Sequence, residues 1–136
     1  RVPLMIHLPS MEKGSKSDAL VDLTDVYPTI VELLELKLPK HQLAGESLVP
    51  ILKDPSLYGK SHVFLKNGQG FTIQTQDYSY TEFIDGNNEI FSSMLYDHRT
   101  DKDENINVAD EAAYANAVSQ LTKLLHTEYA NNIIGD

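Results

Sequence analysis

A short polar segment in the middle of the chain offers the clearest ligand-binding chemistry. Lys66, Asn67 and Gln69 supply one ammonium and two amides, and Gly68 and Gly70 permit backbone conformations that other residues avoid. One cation and two amides on a loop suit an anionic or hydroxylated ligand. The segment therefore predicts contact with a substrate, while a solvent-exposed hairpin loop is the alternative that the same residues allow.

A second group of titratable residues, Tyr96-Asp97-His98, ends an apolar run. An adjacent Asp and His could act as a general-base pair, or the carboxylate could cap a turn while the imidazole packs on a neighbouring ring. No nucleophile accompanies them, because the chain has no Cys and Ser47, Ser92 and Ser93 lack the sequence context of a hydrolase serine. We therefore assign no catalytic residue from the sequence.

The acidic segment Asp101–Asn107 has oxygen-bearing side chains at alternate positions, like a calcium-binding loop. The match fails because Ile106 stands where such a loop needs glycine and Ala112 where it needs a bidentate Glu. A solvated turn explains the segment instead. The five His residues show neither HExxH nor HxH spacing, so we predict no metal site in this chain.

The elements that would position these residues change in character near residue 60. Before it, the apolar run Val2–Leu8 predicts a strand buried on both faces, and a helix should begin near Asp25 as its N-cap, with Pro28 in its first turn. After it, turn residues separate four short runs rich in aromatic and β-branched residues, which predict an antiparallel meander of three or four strands. The runs are Val63–Leu65, Phe71–Thr75, Tyr78–Ile84 and Ile90–Tyr96.

The last segment of the chain predicts an amphipathic helix. Its apolar residues recur at helical spacing and form one stripe, which should cover one face of the meander. The stripe consists of Tyr114, Ala117, Val118, Leu121, Leu124 and Leu125.

Charge limits the partners of this 136-residue chain, whose 20 acidic and 11 basic side chains give a formal net charge of −9. The excess lies in residues 76–136, and such a surface repels nucleic acid and anionic lipid, so we expect neither as a partner. No apolar run reaches the roughly 18 to 20 residues that span a bilayer. Because Arg1-Val2-Pro3 has neither an initiator Met nor a signal-peptide pattern, we expect a fragment or a processed piece.

Strings spread along the whole chain, in a fixed order, carry a family resemblance. Val2–Ile6 reads VPLMI, Asp25–Leu33 reads DVYPTIVEL and Gly45–Leu52 reads GESLVPIL. Gly70–Phe83 contains GFTIQT and YSYTEF, and Leu95–Ala109 contains LYDHRTD and ENINVA. Together they resemble the C-terminal part of a type I sulfatase of the alkaline-phosphatase-like superfamily, and they are similar to iduronate-2-sulfatase-like bacterial enzymes.

The resemblance implies an α/β fold that is α+β in its C-terminal part. Residues 1–58 would end the large sulfatase α/β domain, and residues 59–136 would form a small antiparallel sheet of three or four strands packed by the C-terminal helix. It also implies a function. The chain would help to shape the substrate cleft of a sulfatase, a sulfuric ester hydrolase acting on a sulfated saccharide, with Lys66, Asn67 and Gln69 contacting that substrate.

The same resemblance implies that the reactive groups lie outside this chain. Type I sulfatases use calcium and a formylglycine made within a C/S-x-P-x-R motif, which lies N-terminal to the VPL strand and is absent from residues 1–136. We therefore expect this chain alone to be inactive, with the N-terminal part of the same sulfatase as its partner. Its unpaired first strand could also cause self-association. The family resemblance suggests a periplasmic or extracellular location.

Four residues depart from the sulfatase pattern: Gln74 and Ser79 stand where it has Arg, Phe83 where it has Trp and Met94 where it has Glu. Two missing guanidiniums remove bidentate contacts to a carboxylate or sulfate if these positions face the site, which disfavours a uronate substrate. The alternative function is a stand-alone, non-catalytic domain or pseudo-enzyme that binds a sugar or a partner protein.

Overall fold

The computed structural model describes residues 3–9, 11 and 14–134, apart from the side chains of residues 133 and 134. The chain divides into two compact units, the first unit at residues 1–60 and the second unit at residues 61–136. The boundary falls where the sequence changes from helical spacing to short strand-like runs.

The first unit is built on two short helices. A 3-10 turn at Leu23–Asp25 leads into α1 (Val26–Leu33), and α2 (Val49–Lys53) follows an irregular segment. Pro28 lies in the first turn of α1, as predicted, where its missing N–H leaves no hydrogen bond unmade. The buried apolar side chains described in this unit are Pro28, Val31, Leu48 and Val49.

The strand predicted at Val2–Leu8 does not form in the described part of that segment. Residues 3–8 have no regular secondary structure and Val2 lies outside the described residues. Leu4 and Met5 are exposed. A strand that is apolar on both faces needs a neighbour on each side, and the sheet formed by the described residues contains only strands from the second unit. The prediction of a strand was wrong because the apolar composition of a segment does not provide the neighbouring strands with which its backbone would form hydrogen bonds.

Asp25 occupies the predicted N-cap position of α1, but its side chain does not cap that helix. The capping residue is Asp22, whose side chain accepts the N–H of Thr24, while the Asp25 carboxylate accepts the N–H of Asp22. This reciprocal capping box starts the 3-10 turn rather than α1. The prediction was thus right in position and wrong in mechanism.

The second unit contains the predicted meander, with four antiparallel strands in the order β1-β2-β3-β4. The strands are β1 (Val63–Asn67), β2 (Gly70–Gln74), β3 (Tyr78–Ile84) and β4 (Ile90–Asp97). The two-residue turn Gly68–Gln69 connects β1 to β2 and has Gly68 at φ 59°, in the left-handed region that favours glycine. Local turn residues therefore fix the register of this hairpin.

The predicted C-terminal helix is α3 (Ala115–Tyr129), followed by a π-helical turn at Ala130–Ile134. It contributes Leu121 and Leu125 of the predicted stripe to the core of the second unit. No helix within the described residues is long and apolar enough to cross a bilayer. The buried core consists of Phe71, Ile73, Tyr80, Leu95, Val108, Leu121 and Leu125.

A polar network inside this packing joins β3 to α3. The buried Glu82 carboxylate accepts the hydroxyl of Tyr80 at 2.8 Å, and its second oxygen lies 2.7 Å from His126 Nε2. Thr122 in turn donates to the Tyr80 oxygen at 2.9 Å. Burial, with the neighbouring Glu82 charge, raises the pKa of Tyr80 to about 12 although the Thr122 bond opposes the shift. The network satisfies a carboxylate that would otherwise be costly to bury.

Candidate functional site

The predicted ligand-binding residues lie around the β1–β2 hairpin. Lys66 pairs with Phe71 across the two strands, and its ammonium lies 5.4 Å from the centre of the Phe71 ring. Asn67 ends β1 opposite Gly70, and Gln69 occupies the turn. Lys66, Asn67 and Gln69 are all exposed, so each can reach a ligand in solvent.

These three side chains do not converge on one pocket. Successive residues of a strand project from opposite faces, so Lys66 shares the face that carries Phe71 and α3, whereas Asn67 belongs to the other face. The Lys66 stem packs near an aromatic ring and its charged end remains in water. The hairpin can therefore offer one positioned cation and, separately, amide groups at its tip.

The Asp97 carboxylate pairs with Arg99 rather than with His98. One oxygen accepts the Arg99 backbone N–H at 3.0 Å and Nε at 2.8 Å, and the other accepts Nη2 at 2.6 Å and the Tyr114 hydroxyl at 3.2 Å. The hydrogen bonds from Arg99, against the opposing effect of burial, lower the pKa of Asp97 to about 2. A carboxylate that weakly basic is unsuited to general-base chemistry at neutral pH.

His98 is also engaged in structure. It is buried, and its Nε2 lies 2.7 Å from Glu104 Oε1. Its backbone N–H donates to the carbonyl of Asp77 at 2.8 Å. Of the second explanation of Tyr96-Asp97-His98, the carboxylate part fits, because Asp97 accepts the Arg99 backbone N–H in the turn after β4, while the imidazole lies against the Glu104 carboxylate.

Arg99 is the residue in this region that sequence reasoning missed. Its guanidinium carbon lies 4.8 Å from the centre of the Tyr78 ring, and Nη2 also donates to the Tyr78 hydroxyl. The Asp97 carboxylate raises the pKa of Arg99 further above its usual range. The spacing of Asp97 and Arg99, two residues apart, could have predicted their ion pair from the sequence. The contact with Tyr78 could not be predicted, because it depends on the pairing of β3 with β4. The result is a fixed, half-exposed cation.

The acidic turn Asp101–Asn107 holds itself together through its own backbone. One Asp101 oxygen accepts the N–H of Asn105 at 2.7 Å and of Ile106 at 2.8 Å. These bonds lower the pKa of Asp101, chiefly the one from Ile106. Among the described residues no three His, Cys, Asp or Glu side chains are grouped to hold a metal ion. The calcium that the sulfatase resemblance implies is expected in the part of the enzyme outside this chain, so these residues do not test it.

A second charge cluster lies in the first unit. Asp25 is 1% exposed and accepts the backbone N–H of Asp22 at 2.9 Å and of Glu46 at 2.8 Å. Lys60 Nζ lies 2.8 Å from Asp25 and 2.6 Å from Asp22. Burial opposes the charge on Lys60, but its bonds to Asp22 and Asp25 outweigh that effect and raise its pKa. All these partners are internal, which makes the cluster structural.

Thr29 extends the cluster and explains the D-V-Y-P-T string. Its hydroxyl donates to the Asp25 carbonyl at 2.6 Å and accepts the Leu48 N–H at 2.8 Å. Gly45 passes so close that a Cβ there would lie 2.0 Å from the Thr24 carbonyl oxygen. Asp25 and Thr29 thus fasten the segment before α2 to α1.

Comparison with known proteins identifies the family of this chain. The family described as N-sulphoglucosamine sulphohydrolase, C-terminal, matches residues 1–131. The chain belongs to this family. The recognition of a sulfatase C-terminal region is thereby confirmed, whereas the comparisons do not specify the iduronate-2-sulfatase-like subgroup.

Curated relatives are longer than this sulfatase C-terminal region. A Sulfatase of Formosa agariphila is 26% identical over 125 residues, which cover 92% of the chain and 24% of the relative. Human Arylsulfatase K is 28% identical over 121 residues, covering 79% of the chain and 22% of the relative. The chain therefore spans about a quarter of the length of these relatives.

Solved structures share the fold of this sulfatase C-terminal region. The structure of BT4656 in complex with its substrate D-glucosamine-2-N,6-O-disulfate matches with a TM-score of 0.75 and 23% identity, covering 90% of this chain and 27% of that one. The phosphonate monoester hydrolase of Agrobacterium radiobacter matches with a TM-score of 0.60 and 23% identity, covering 79% and 24%. The predicted antiparallel sheet with its C-terminal helix is confirmed as a sulfatase-type fold.

Two of the departures from the sulfatase pattern are neighbours in the structure. Gln74 and Ser79 pair directly across β2 and β3. By strand alternation they lie on the face away from Ile73 and Tyr80, which pack in the core with α3. One patch of the sheet therefore carries uncharged Gln74 and Ser79 at the two positions where the sulfatase resemblance expects Arg, and Lys66 lies on the opposite face.

Proposed function

We propose that this chain is the C-terminal part of a sulfatase, a sulfuric ester hydrolase acting on a sulfated saccharide, and that it is inactive by itself. The observation that carries the proposal is the family match over residues 1–131. The likeness of its fold to BT4656 over 90% of the chain supports it. Since the chain spans about a quarter of its curated relatives, the activity is that of a longer polypeptide.

Within that enzyme, residues 1–58 end the large α/β domain and residues 59–136 form a C-terminal subdomain that borders the substrate cleft. The change in packing near residue 60 supports this division. Calcium and formylglycine belong to the part of the enzyme outside this chain. The absence of C/S-x-P-x-R from residues 1–136 is consistent with that assignment.

The proposed substrate is a sulfated amino sugar. The substrate of BT4656, D-glucosamine-2-N,6-O-disulfate, carries two sulfate groups, and the matching family is named for a sulphoglucosamine. When one sulfate of such a sugar reacts, the other remains to be bound. Lys66 is proposed to contact this second anionic group from the face that carries Phe71, and Asn67 and Gln69 are proposed to contact hydroxyls separately, at the tip of the hairpin. Gln74 and Ser79 lie on the face opposite Lys66, and their uncharged side chains disfavour a uronate if that face borders the cleft.

The test compares two substrates in the longer polypeptide that contains this chain. Lys66→Ala should raise KM for D-glucosamine-2-N,6-O-disulfate roughly tenfold, about 1.4 kcal/mol, and spare p-nitrocatechol sulfate, which has one sulfate. Lys123→Ala, which removes an exposed lysine of α3, is the matched control. Equal effects of Lys66→Ala on both substrates would mean that Lys66 does not contact the second sulfate.

Two further results would change the assignment. Faster hydrolysis of a phenyl phosphonate monoester than of either sulfate would favour the chemistry named for the Agrobacterium radiobacter enzyme. If the longer polypeptide bound the disulfate but hydrolysed no ester, the non-catalytic alternative would be correct. This 136-residue chain alone should show no turnover of either sulfate.

A further inference from the structure

An apolar stripe on α1 and the 3-10 turn before it has no partner among the described residues. Leu23, Tyr27, Ile30 and Leu34 are 71%, 53%, 48% and 62% exposed. Their spacing of four, three and four residues places them on one side of a helix. A small domain rarely leaves four large apolar side chains aligned in water, and such patches commonly mark interaction surfaces.

The opposite side of the same helix already faces the interior of the first unit. Pro28, Thr29 and Val31 are buried there, and Thr29 bonds to the backbone of Leu48. The helix is therefore apolar or buried on both sides, a pattern typical of helices in the interior of a larger protein. Two more exposed leucines, Leu36 and Leu38, follow the stripe in sequence.

We infer that this stripe is the surface on which the remaining part of the sulfatase polypeptide packs. The inference rests on the proposed function, since it takes the chain as part of a longer enzyme. Relatives and structural neighbours extend over about four times the length of their matched region, so an occupant of sufficient size exists in each of them. A contact within one polypeptide is permanent, and permanent interfaces are the most apolar.

Other occupants fit the stripe less well. A saccharide needs hydrogen-bonding groups, and the four side chains offer only the Tyr27 hydroxyl. An anionic lipid surface needs several cations beside the apolar residues, whereas the exposed charged residues of α1 and the segment to Leu38 are Glu32, Glu35 and Lys37, which together carry a net negative charge. A second copy of the chain remains as an outcome that the experiment distinguishes.

Hydroxyl-radical labelling tests the surface without any substitution. Tyr27 should be labelled readily in the 136-residue chain and about tenfold more slowly in the longer polypeptide, since burial there limits access of the radical. The urea-unfolded polypeptide gives the rate for full access. Equal labelling of Tyr27 in both native proteins would overturn the inference, and so would protection in the chain alone together with a dimeric sedimentation coefficient.

A pair of isoleucine variants gives an independent measurement. Ile30→Lys in the longer polypeptide should reduce the yield of soluble, folded enzyme roughly tenfold, because a cation would be buried in an apolar contact. Ile106→Lys, at a 61% exposed isoleucine of the second unit, should keep the wild-type yield. In the 136-residue chain both variants should fold alike, and matching losses in the longer polypeptide would contradict the inference.

The outcome for this surface can be separated from the outcome for the enzyme. If Tyr27 is protected in the longer polypeptide but no sulfate ester is hydrolysed, the interface stands and the proposed activity fails. If sulfate esters are hydrolysed and Tyr27 is labelled as fast as in the chain alone, the activity stands and the interface is wrong.

Discussion

The first and second units differ in how they bury apolar surface. The buried apolar residues described in the second unit are Val63, Phe71, Ile73, Tyr80, Leu95, Val108, Leu121 and Leu125, against Pro28, Val31, Leu48 and Val49 in the first. The balance reverses at the surface. The large apolar side chains exposed in the first unit are Leu4, Met5, Leu23, Tyr27, Ile30, Leu34, Leu36, Leu38, Leu57 and Tyr58, whereas those in the second are Leu65, Ile90, Phe91 and Ile106.

This difference means that the two units depend on different interactions. The first unit relies on polar contacts, in which Asp25 joins the backbone of Asp22 and Glu46 to Lys60, and Thr29 holds Leu48. The second combines a larger apolar core between its sheet and α3 with the buried Glu82 network. Loss of the Asp25 charge should therefore damage the first unit most, because that unit has little apolar core, while loss of core volume should damage the second.

Asp25→Ala should have the largest effect. The substitution leaves two backbone N–H groups and the Lys60 ammonium without their buried acceptor, and breaking a buried ion pair typically costs about 3–5 kcal/mol. We expect the first unit to unfold while the second stays folded, as measured by residue-resolved hydrogen exchange. Asp54→Ala, at an exposed aspartate whose carboxylate accepts its described hydrogen bonds only from nearby Ser56, is the control. Unchanged hydrogen exchange in residues 23–33 of Asp25→Ala would contradict the prediction that the first unit depends on Asp25.

Leu125→Ala should have the second-largest effect, and this time on the second unit. Leu125 is fully buried in the core between α3 and the sheet, and removing a buried leucine side chain costs about 2–5 kcal/mol. Urea unfolding followed by residue-resolved NMR should show the loss in residues 63–129. Leu65→Ala, at an exposed leucine of β1, should change the free energy of unfolding far less. Similar decreases in the free energy of unfolding for both variants would mean that this core does not determine the stability of the second unit.

The features that sequence predicted are those that rest on local signals. The meander was predictable because turn residues separate each pair of strand-like runs, and α3 because its apolar stripe repeats at helical spacing. The strand at Val2–Leu8 was mispredicted because its partners would have to come from elsewhere. The function of Asp25 was missed since it bonds to Glu46, 21 residues away. The hairpin was located correctly from the sequence. That Lys66 and Asn67 project from opposite faces of the sheet could be seen only from the strand register.

Asp97→Asn should reveal a smaller, pH-dependent contribution in the second unit. Because the pKa of Asp97 is lowered to about 2 from 3.8, its ionised form stabilises the folded state above pH about 4, and this contribution is lost as pH falls through 2. The variant should lose about 1–2 kcal/mol at pH 6, at the low end for a charged hydrogen bond because water screens the half-exposed Arg99.

The pH dependence supplies the check on Asp97. Wild type and Asp97→Asn should converge in free energy of unfolding near pH 2, as measured by urea titrations at several pH values. Asp110→Asn controls for the loss of one exposed negative charge. A difference between wild type and Asp97→Asn that stays constant from pH 6 to pH 2 would show that shape, rather than charge, is what Arg99 and Tyr114 require.

Lys66→Ala should have the smallest effect on stability, and its comparison with Lys60→Ala contrasts the two units directly. Lys60 is partly buried between Asp22 and Asp25, so its loss leaves two carboxylates without their cation. Lys66 contacts the Phe71 ring from an exposed position, and an exposed cation–π contact contributes about 0.5–1 kcal/mol at most. Thermal unfolding should therefore separate the variants clearly, with Lys66→Ala close in melting temperature to wild type.

Because the fold tolerates the loss of the Lys66 side chain, any change in KM for a disulfated sugar could then be assigned to ligand contact. If Lys66→Ala destabilised the second unit as much as Lys60→Ala destabilises the first, Lys66 would be a structural residue, and its proposed contact with the substrate would lose its support.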